Sequence, residues 1–236
     1  MPLSSIVPSP LIGIWEIVEP WQDLLELFQD KTLYADEVQK IKSDNRKSEW
    51  LAVRLLIKHL TGTESLVCYK ETGAPFLADN RYHISISHTK RYAAVILSHY
   101  PNPGIDIEYR SDRAWKLRMK YLSTDELELL EPIRPDGQTG NKQLRLEMIF
   151  DSSNQINSDT SAQQTTLATL CWCAKETVYK TLQETDIDFI QHLHIEPFIL
   201  SEKGVFTLKE TKTNKQATFQ IHYQLTEDFI ISWTNG

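Results

Sequence analysis

The stretch GIDIE, residues 104–108, constrains the fold more than any other part of this sequence. Apolar and acidic residues alternate in it, so in a strand Ile105 and Ile107 face one side while Asp106 and Glu108 face the other. Asp and Glu are poor strand formers, and two like charges on one face of a strand repel each other. Such a strand needs a reason for its paired carboxylates, and a bound metal ion would remove their repulsion.

The length and charge of the chain limit the classes of protein to consider. With 236 residues, it is long enough for one large domain or two small halves that share a core. The net charge of −7 argues against general binding to a nucleic-acid backbone. Three cysteines (Cys68, Cys171 and Cys173) are too few for a disulfide framework, and the C-x-C pair has no partner motif for zinc.

The N-terminal segment and the hydropathy of the chain predict a soluble, cytoplasmic protein. Residues 1–15 have no basic region and are interrupted by three prolines, which is unlike a signal peptide. No apolar run is long enough to span a bilayer. We therefore expect no contact with a membrane.

Hydrophobic periodicity predicts a mixture of helices and antiparallel strands, the α+β class. The clearest helices are 44–62, which ends at Gly62, and 167–182. Strands are expected at 11–17, 65–70, in the C-terminal segments GVFTL, ATFQIHYQL and FIISW, and in 81–100, where Ser87–Arg91 forms a turn. Ser123 and Glu126 form a capping-box pattern. Residues 133–166 are polar and predict a long, mobile insertion.

The segment WCAKETVYK, 172–180, brings charge to one side of the second helix. On a helical wheel the core stripe consists of Leu167, Leu170, Cys171, Ala174, Val178 and Leu182. Glu176 projects opposite this stripe, flanked by Trp172, Lys175 and Lys180. Taken alone, this pattern is also that of a solvated helix face with a Glu176–Lys180 pair.

Together, the strand and the helix predict a magnesium site. Asp106, Glu108 and Glu176 supply the hard oxygen ligands that Mg²⁺ prefers. Lysines beside such a site would bind phosphate groups as point charges. The chemistry predicted is group transfer at a pyrophosphate, with charge stabilised by Mg²⁺ and lysine.

Four motifs in order, together with one long helix, resemble those of the 4′-phosphopantetheinyl transferases, specifically the larger single-chain type that activates non-ribosomal peptide and related synthases. GIDIE and WCAKETVYK match the paired signature G-I/V-D-I/V-E and W-x-x-K-E-x-x-x-K at every fixed position. ISISHT, 84–89, resembles the family's strand with Ser-His, and YLSTDE, 121–126, its F-F-S-x-x-E segment. RKSEWLAVRLLIKHL resembles the family's long arginine-containing helix.

The resemblance implies a fold of two similar α+β halves, 1–103 and 104–236, each a small antiparallel sheet packed on a long helix and related by a pseudo-twofold axis. It implies a monomer that moves the phosphopantetheine arm of coenzyme A to a serine of an acyl or peptidyl carrier protein. Asp106, Glu108 and Glu176 would hold Mg²⁺, and Glu176 would help to deprotonate that serine.

The resemblance also implies a coenzyme A site. Lys175 and Lys180 would contact the pyrophosphate, Lys175 stabilising the leaving 3′,5′-ADP, and Ser87 and His88 would contact the adenosine end. Arg46 and Arg54 are further candidates for its phosphates, although an arginine on such a helix is usually solvated. His88 alone could be a surface histidine, Trp172 a packing residue, and Glu126 a supporting carboxylate or only a helix cap.

The chain departs from the family at Ala74, where a Gly-Lys-Pro turn usually supplies a phosphate-binding lysine. Lys70, Arg81 or Arg91 are possible substitutes. The basic stretch 110–120, with Arg110, Arg113, Lys116, Arg118 and Lys120, is a candidate dock for the acidic helix of a carrier protein. Two other interpretations stay open at this point: a catalytically silent relative that binds coenzyme A or a carrier, and an unrelated Mg²⁺-dependent phosphohydrolase.

Overall fold

The computed structural model describes residues 3–8, 10–128, 130 and 160–236, with the backbone alone for 3–8 and 160. Within it the chain divides into two compact units. The first contains the chain up to Ile107, Lys180–Gln183 and Asn235–Gly236, and the second contains Glu108–Tyr179 and Glu184–Thr234. The predicted halves, 1–103 and 104–236, and the pseudo-twofold axis between them stay predictions.

A four-stranded antiparallel sheet underlies the first unit. Its strands are β1 (Leu3–Pro8), β2 (Leu11–Glu16), β5 (His83–Thr89) and β6 (Tyr92–Ser98), in the order β1-β2-β6-β5. The strands β5 and β6 are joined by Lys90 and Arg91 alone, since Thr89 pairs with Tyr92. The expected turn at Ser87–Arg91 is therefore wrong: Ser87 and His88 lie on β5, because the strand pairing continues to Thr89.

Three helices pack in the first unit: α1 (Trp21–Glu26), α2 (Thr32–Lys40) and α3 (Asp44–Thr61). The prediction of α3 is confirmed, including its end, where Gly62 adopts the left-handed conformation with φ 75°. Its Leu51, Leu55 and Leu56 are buried in one cluster with Trp15. Burying each leucine contributes roughly 1.5–3 kcal/mol.

A short hairpin and the start of β7 complete the first unit. The hairpin consists of β3 (Val67–Tyr69) and β4 (Pro75–Leu77), with Gly73 at φ 82° in its turn. The strand β7 (Gly104–Tyr109) follows β6, and its residues through Ile107 belong to this unit.

The second unit begins with short helices: α4 (Arg113–Leu117), a 3₁₀ turn (Arg118–Lys120) and α5 (Thr124–Glu128). The predicted capping box is confirmed, since the amide of Ser123 donates to Glu126 Oε2 at 2.8 Å and the amide of Glu126 donates to Ser123 Oγ at 3.3 Å. Further along the chain are α6 (Thr160–Leu182) and α7 (Phe189–His192).

The helix α6 differs from its prediction in two respects. Residues 160–166 are helical, so they do not belong to an irregular insertion; the rest of that predicted insertion, 133–159, lies outside the described residues. The helix is also buried on more than one stripe, because Cys173, Lys175 and Thr177 are fully buried along with Leu170 and Ala174. A helix buried on nearly all sides is typical of the centre of a fold.

The C-terminal strands form the second sheet: β8 (Leu193–Ile195), β9 (Lys203–Glu210), β10 (Thr218–Leu225) and β11 (Phe229–Thr234), in the order β7-β11-β10-β9-β8. The antiparallel sheets and helices confirm the α+β class. Among the helices described, none is long and apolar enough to cross a membrane.

Candidate active site

The N-terminal turn of α3 and the end of β5 bring Arg46, Glu49 and His88 into one cluster in the first unit. Arg46 Nη1 donates to Glu49 Oε2 at 2.7 Å, and the same carboxylate oxygen lies 3.4 Å from His88 Nδ1. Arg46 Nη1 is 3.2 Å from His88 Nδ1 and 3.0 Å from Nε2, so it contacts both ring nitrogens almost equally. Glu49 is 7% exposed, and its carboxylate contacts the more exposed side chains of Arg46 and His88.

The surroundings of His88 act on its pKa in opposite directions. Burial lowers the pKa of His88, the charge of Glu49 raises it, and that of Arg46 lowers it, with a net lowering. The imidazole is therefore neutral at pH 7 and available as a hydrogen-bonding group beside the Arg46 guanidinium.

Asp106 of β7 is held by donors from two other elements. The hydroxyl of Ser87 donates to Asp106 Oδ1 at 2.8 Å, and Lys180 Nζ donates to the same oxygen at 2.7 Å. Lys180 also donates to the carbonyl of Ile105 at 3.1 Å. The side chain of Asp106 is 5% exposed and that of Lys180 is 27% exposed. The structure thus brings together Ser87, Asp106 and Lys180, which the sequence assigned to one site.

In the second unit, Glu108 contacts the other signature helix. Trp172 Nε1 donates to Glu108 Oε1 at 2.8 Å, so the indole orients this carboxylate rather than merely packing at the helix edge. Glu176 lies one turn further along α6 and is half-buried. The carboxylates of Asp106 and Glu108 are therefore each compensated by a specific donor, which explains how one strand face carries both.

Lys175 lies elsewhere than its wheel position predicted. Its side chain is 0% exposed, and Nζ donates to Glu126 Oε2 at 2.6 Å and to the carbonyls of Tyr121 and Phe189 at 2.8 and 2.9 Å. Burial lowers the pKa of Lys175, although Glu126 acts in the opposite direction. The expectation that Lys175 flanks Glu176 on the same side of the helix is wrong, because the ammonium uses all three donors inside the second unit. Its contact with the pyrophosphate and with the leaving 3′,5′-ADP stays a prediction.

Glu126 is the centre of this buried polar group. Besides Lys175 and the amide of Ser123, it accepts a hydrogen bond from the amide of Ile195 through Oε1 at 2.9 Å. The carboxylate therefore joins three separate segments of the second unit. It is therefore a helix cap and the partner of a buried ion pair, and its role as a supporting carboxylate of the active site stays a prediction.

Arg54 is not a solvated arginine. It is 6% exposed, its guanidinium carbon lies 3.3 Å from the centre of the Trp50 ring, and Nη1 donates to the carbonyl of Trp50 at 2.9 Å. Burial lowers its pKa, and a hydrogen bond with Tyr69 acts in the opposite direction. This cation–π stacking gives Arg54 a role in the packing of the first unit, and its contact with a coenzyme A phosphate stays a prediction.

The possible substitutes for a lysine at position 74 differ in their surroundings. Arg81 is held by Asp79 at 2.8 Å, and Arg91 is held by Glu16. Lys70 lies directly across the hairpin turn, where its amide donates to the carbonyl of Ala74 at 2.9 Å. Of these three cations, Lys70 is the one placed beside the missing side chain.

Several side chains of the basic stretch 110–120 already bind other groups of the protein. Arg110 donates to Thr166 Oγ1 and to the carbonyl of Thr226, and Arg118 stacks at 3.9 Å from the centre of the Trp115 ring. Lys116 pairs with Asp112 at 2.6 Å on the surface. The exposed part of this stretch consists of Ser111, Asp112, Arg113, Lys116, Met119 and Lys120.

The donor chemistry of the acidic residues fits Mg²⁺. Asp106, Glu108 and Glu176 supply carboxylate oxygens only, with no thiolate or imidazole that would favour a softer ion. In the part of the chain that the structure describes, however, no group of three His, Cys, Asp or Glu side chains is assembled closely enough to hold a metal ion. The magnesium site therefore stays a prediction.

Comparison with known families identifies the class of protein. The profile of the 4′-phosphopantetheinyl transferase superfamily matches residues 102–234, more than half of the chain, including β7 and α6. The chain belongs to the 4′-phosphopantetheinyl transferase superfamily, a family of transferases that use coenzyme A as a substrate. No curated protein matches the chain.

Sequence reasoning missed Glu49 altogether. Its position three residues after Arg46 on a helix is a detectable signal for an ion pair. The approach of His88, already a candidate from its segment, to Glu49 has no local signal, since it depends on the pairing of β5 with the rest of the sheet. The same limit applies to Tyr121 and Phe189, which bind Lys175 through their backbone carbonyls. Every residue type has such a carbonyl, so the sequence gives no sign of these contacts.

Proposed function

We propose that this protein transfers the 4′-phosphopantetheine arm of coenzyme A to a serine of an acyl or peptidyl carrier protein in the cytoplasm. It would act as a monomer of the larger single-chain type. The observation that carries the proposal is the contact of Ser87 and Lys180 with Asp106, which unites three of the family's motifs around one carboxylate.

In the proposed reaction, the carrier serine hydroxyl attacks the phosphorus atom that bears the pantetheine arm. A new P–O bond forms, the P–O bond to the second phosphate breaks, and 3′,5′-ADP leaves. Glu176 receives the serine proton, directly or through a water molecule. Being half-buried on α6, it is accessible to such a hydroxyl while remaining partly shielded from water.

Magnesium, held by Asp106, Glu108 and Glu176, would neutralise charge on the pyrophosphate. Lys180 supplies the ammonium at this site, because its side chain is partly exposed and it already binds Asp106 and the carbonyl of Ile105. Ser87 fixes the orientation of Asp106. Arg46 and His88 bind the phosphate of the adenosine end, and Glu49 orients both side chains through its contacts with them.

The test is intact-protein mass spectrometry of an apo carrier protein incubated with this protein, coenzyme A and Mg²⁺. We expect the carrier to gain one phosphopantetheine, and Asp106→Asn, Lys180→Met or EDTA to abolish the gain. Lys40→Met, a change at an exposed surface pair, serves as the matched lysine control. Binding of coenzyme A without transfer to any carrier type would instead identify a silent relative, and release of inorganic phosphate would identify a hydrolase.

We further propose that the acidic helix of the carrier docks on Arg113, Lys116 and Lys120. Met119, 65% exposed among these cations, provides an apolar contact for such an amphipathic helix. Arg113→Glu combined with Lys120→Glu is expected to lower carrier turnover by about tenfold at low salt, while coenzyme A binding is unchanged. Lys215→Glu, at another exposed site of the same unit, is the control; an equal effect on all variants contradicts this docking site.

A further inference from the structure

The indole of Trp172 contacts two other aromatic rings of the second unit. The centres of the Tyr121 and Trp172 rings are 5.0 Å apart with the planes at 74°, an edge-to-face arrangement. The centres of the Trp172 and Phe189 rings are 5.6 Å apart with the planes at 42°. Tyr179, which is 40% exposed, contacts Phe189 in turn at 5.8 Å. These separations are typical of favourable aromatic pairs, so the rings restrain the orientation of the indole.

The two residues whose rings contact Trp172 are also held together through their backbones. A single ammonium group, that of Lys175, donates to the carbonyl of Tyr121 at 2.8 Å and to the carbonyl of Phe189 at 2.9 Å. Lys175 is itself fully buried and paired with Glu126. The segments that carry the two rings are therefore fixed relative to each other by one buried charge.

The backbone around Phe189 has a second set of restraints. Asp188, which caps α7, accepts hydrogen bonds through Oδ1 from the amides of Ile190 and Gln191 at 2.8 and 2.9 Å. The amide of Asp188 donates to His192 Nδ1 at 2.9 Å. Because Phe189 lies between these bonded groups, its ring has a defined position. Phe189 lies outside the four sequence motifs, so its contact with Trp172 becomes visible only in the structure.

The polar atom of this aromatic group is the indole nitrogen of Trp172. It donates to Glu108 Oε1 at 2.8 Å, and both side chains are half-buried. An indole has one N–H and no acceptor, so a rotation of the ring would withdraw its donor from the carboxylate. The orientation of Glu108 therefore depends on rings that do not contact it directly.

We propose that Tyr121 and Phe189 are positioning residues, which hold the Trp172 indole on Glu108 so that this carboxylate is oriented before a divalent cation binds. This inference rests on the proposed function, in which Glu108 is a magnesium ligand. Hydrogen-bond partners of metal ligands typically account for about 10- to 100-fold in metal affinity. Lys175 contributes to the same arrangement, because it binds the carbonyls of both positioning residues.

The first readout is the indole N–H signal of Trp172 in ¹H–¹⁵N NMR spectra of the full chain. Of the signals from six tryptophans, it is the one missing from Trp172→Phe. Glu108→Gln should move it upfield, because a neutral amide is a weaker acceptor than a carboxylate. Phe189→Ala should move it in the same direction, since the indole loses one of its restraints. Phe189→Tyr keeps the ring and should leave the signal in place.

The second readout is the Kd of Mn²⁺, measured by electron paramagnetic resonance with saturating coenzyme A. Trp172→Phe is expected to raise this Kd about tenfold, and Phe189→Ala about threefold, because the latter keeps the donor but orients it less well. The matched control is Phe198→Ala, which removes a ring from a separate cluster with Phe206 and Tyr223 in the same unit. The control should change neither the indole signal nor the Kd of Mn²⁺.

An indole signal that stays in place in Phe189→Ala, or that moves equally in Phe198→Ala, overturns the positioning role. An unchanged Kd of Mn²⁺ in Trp172→Phe also overturns it, and intact transfer to a carrier in the wild type then leaves the proposed function in place. Wild-type protein that neither binds Mn²⁺ nor transfers the arm overturns both. Should an alanine variant fail to fold by circular dichroism, Phe189→Leu and Phe198→Leu, which keep more apolar volume, make the same comparison.

Discussion

The buried ion pair between Lys175 and Glu126 makes a prediction that distinguishes folding from ligand binding. The substitution is Lys175→Met, which keeps most of the volume of the aliphatic stem and removes the ammonium group. In the structure this ammonium donates to Glu126 and to the carbonyls of Tyr121 and Phe189, and its side chain is 0% exposed. We therefore expect the variant to be less stable than the wild type, because the ammonium binds groups of the protein itself.

The magnitude follows from the groups that the substitution leaves behind. Glu126, 3% exposed, keeps the amides of Ser123 and Ile195 but loses its counter-ion. Breaking a buried ion pair by removing one partner costs about 3–5 kcal/mol, because a charge remains buried without compensation. Two carbonyls also lose a donor, at about 1 kcal/mol or more each where water cannot replace it. Together these contributions give an expected loss of about 5–7 kcal/mol in the free energy of unfolding.

The assay is urea unfolding followed by tryptophan fluorescence and circular dichroism. Adding Glu126→Gln to Lys175→Met removes the uncompensated charge and should recover about 2 kcal/mol. The comparison is Lys180→Met, which should lose less than about 2 kcal/mol because its ion pair with Asp106 is partly exposed. The reasoning is refuted when Lys175→Met unfolds within 1 kcal/mol of the wild type, roughly the effect of a surface substitution, and yet no longer binds coenzyme A.

Three further predictions concern other titratable groups. Glu49→Gln should lower the pKa of His88 further in an NMR titration, because Glu49 raises it; an unchanged pKa contradicts their contact. Native protein should react with a thiol reagent at Cys68 but not at Cys171, whose pKa burial raises to about 12. Burial raises the pKa of Glu210, but its hydrogen bonds lower the pKa by more, so the net shift is downward. The lowered pKa stabilises the fold at a pH above the pKa of the unfolded chain, and this stabilisation should vanish as the pH falls through the pKa of the folded protein. Glu210→Gln should abolish that dependence in urea unfolding from pH 7 to 3.

The sequence predicts those features of the fold that depend on neighbours along the chain. The capping box at Ser123 and Glu126 follows from a three-residue spacing, and the end of α3 follows from Gly62. The strand β7 follows from its alternation. In each case the interacting groups are local, so residue identity and spacing contain the information.

Features that depend on tertiary packing are not predictable in this way. The spacing of Arg54 in the sequence is that of a solvated helix residue, but in the structure its side chain is buried and stacks on the ring of Trp50. The polar residues that follow Ser87 and His88 predict a turn, whereas in the structure both residues belong to β5 and pair with β6. The polar composition of 160–166 indicates a loop, yet Thr166 bonds back to the carbonyl of Ala162 within α6.

The two lysines of the motif W-x-x-K-E-x-x-x-K lie close together in the sequence, but their surroundings in the structure differ. Lys175 lies 100° from Glu176 on a helical wheel, while Lys180 lies only about 40° away, so the two lysines face different sides of α6. Lys175 turns toward Glu126 in the second unit, and Lys180 turns toward Asp106 in the first. The contacts of Lys175 thus serve the stability of the fold, whereas the proposed function gives Lys180 the charge of the substrate. Since both requirements must be met on one helix, neither lysine can replace the other, although they differ in sequence only by position.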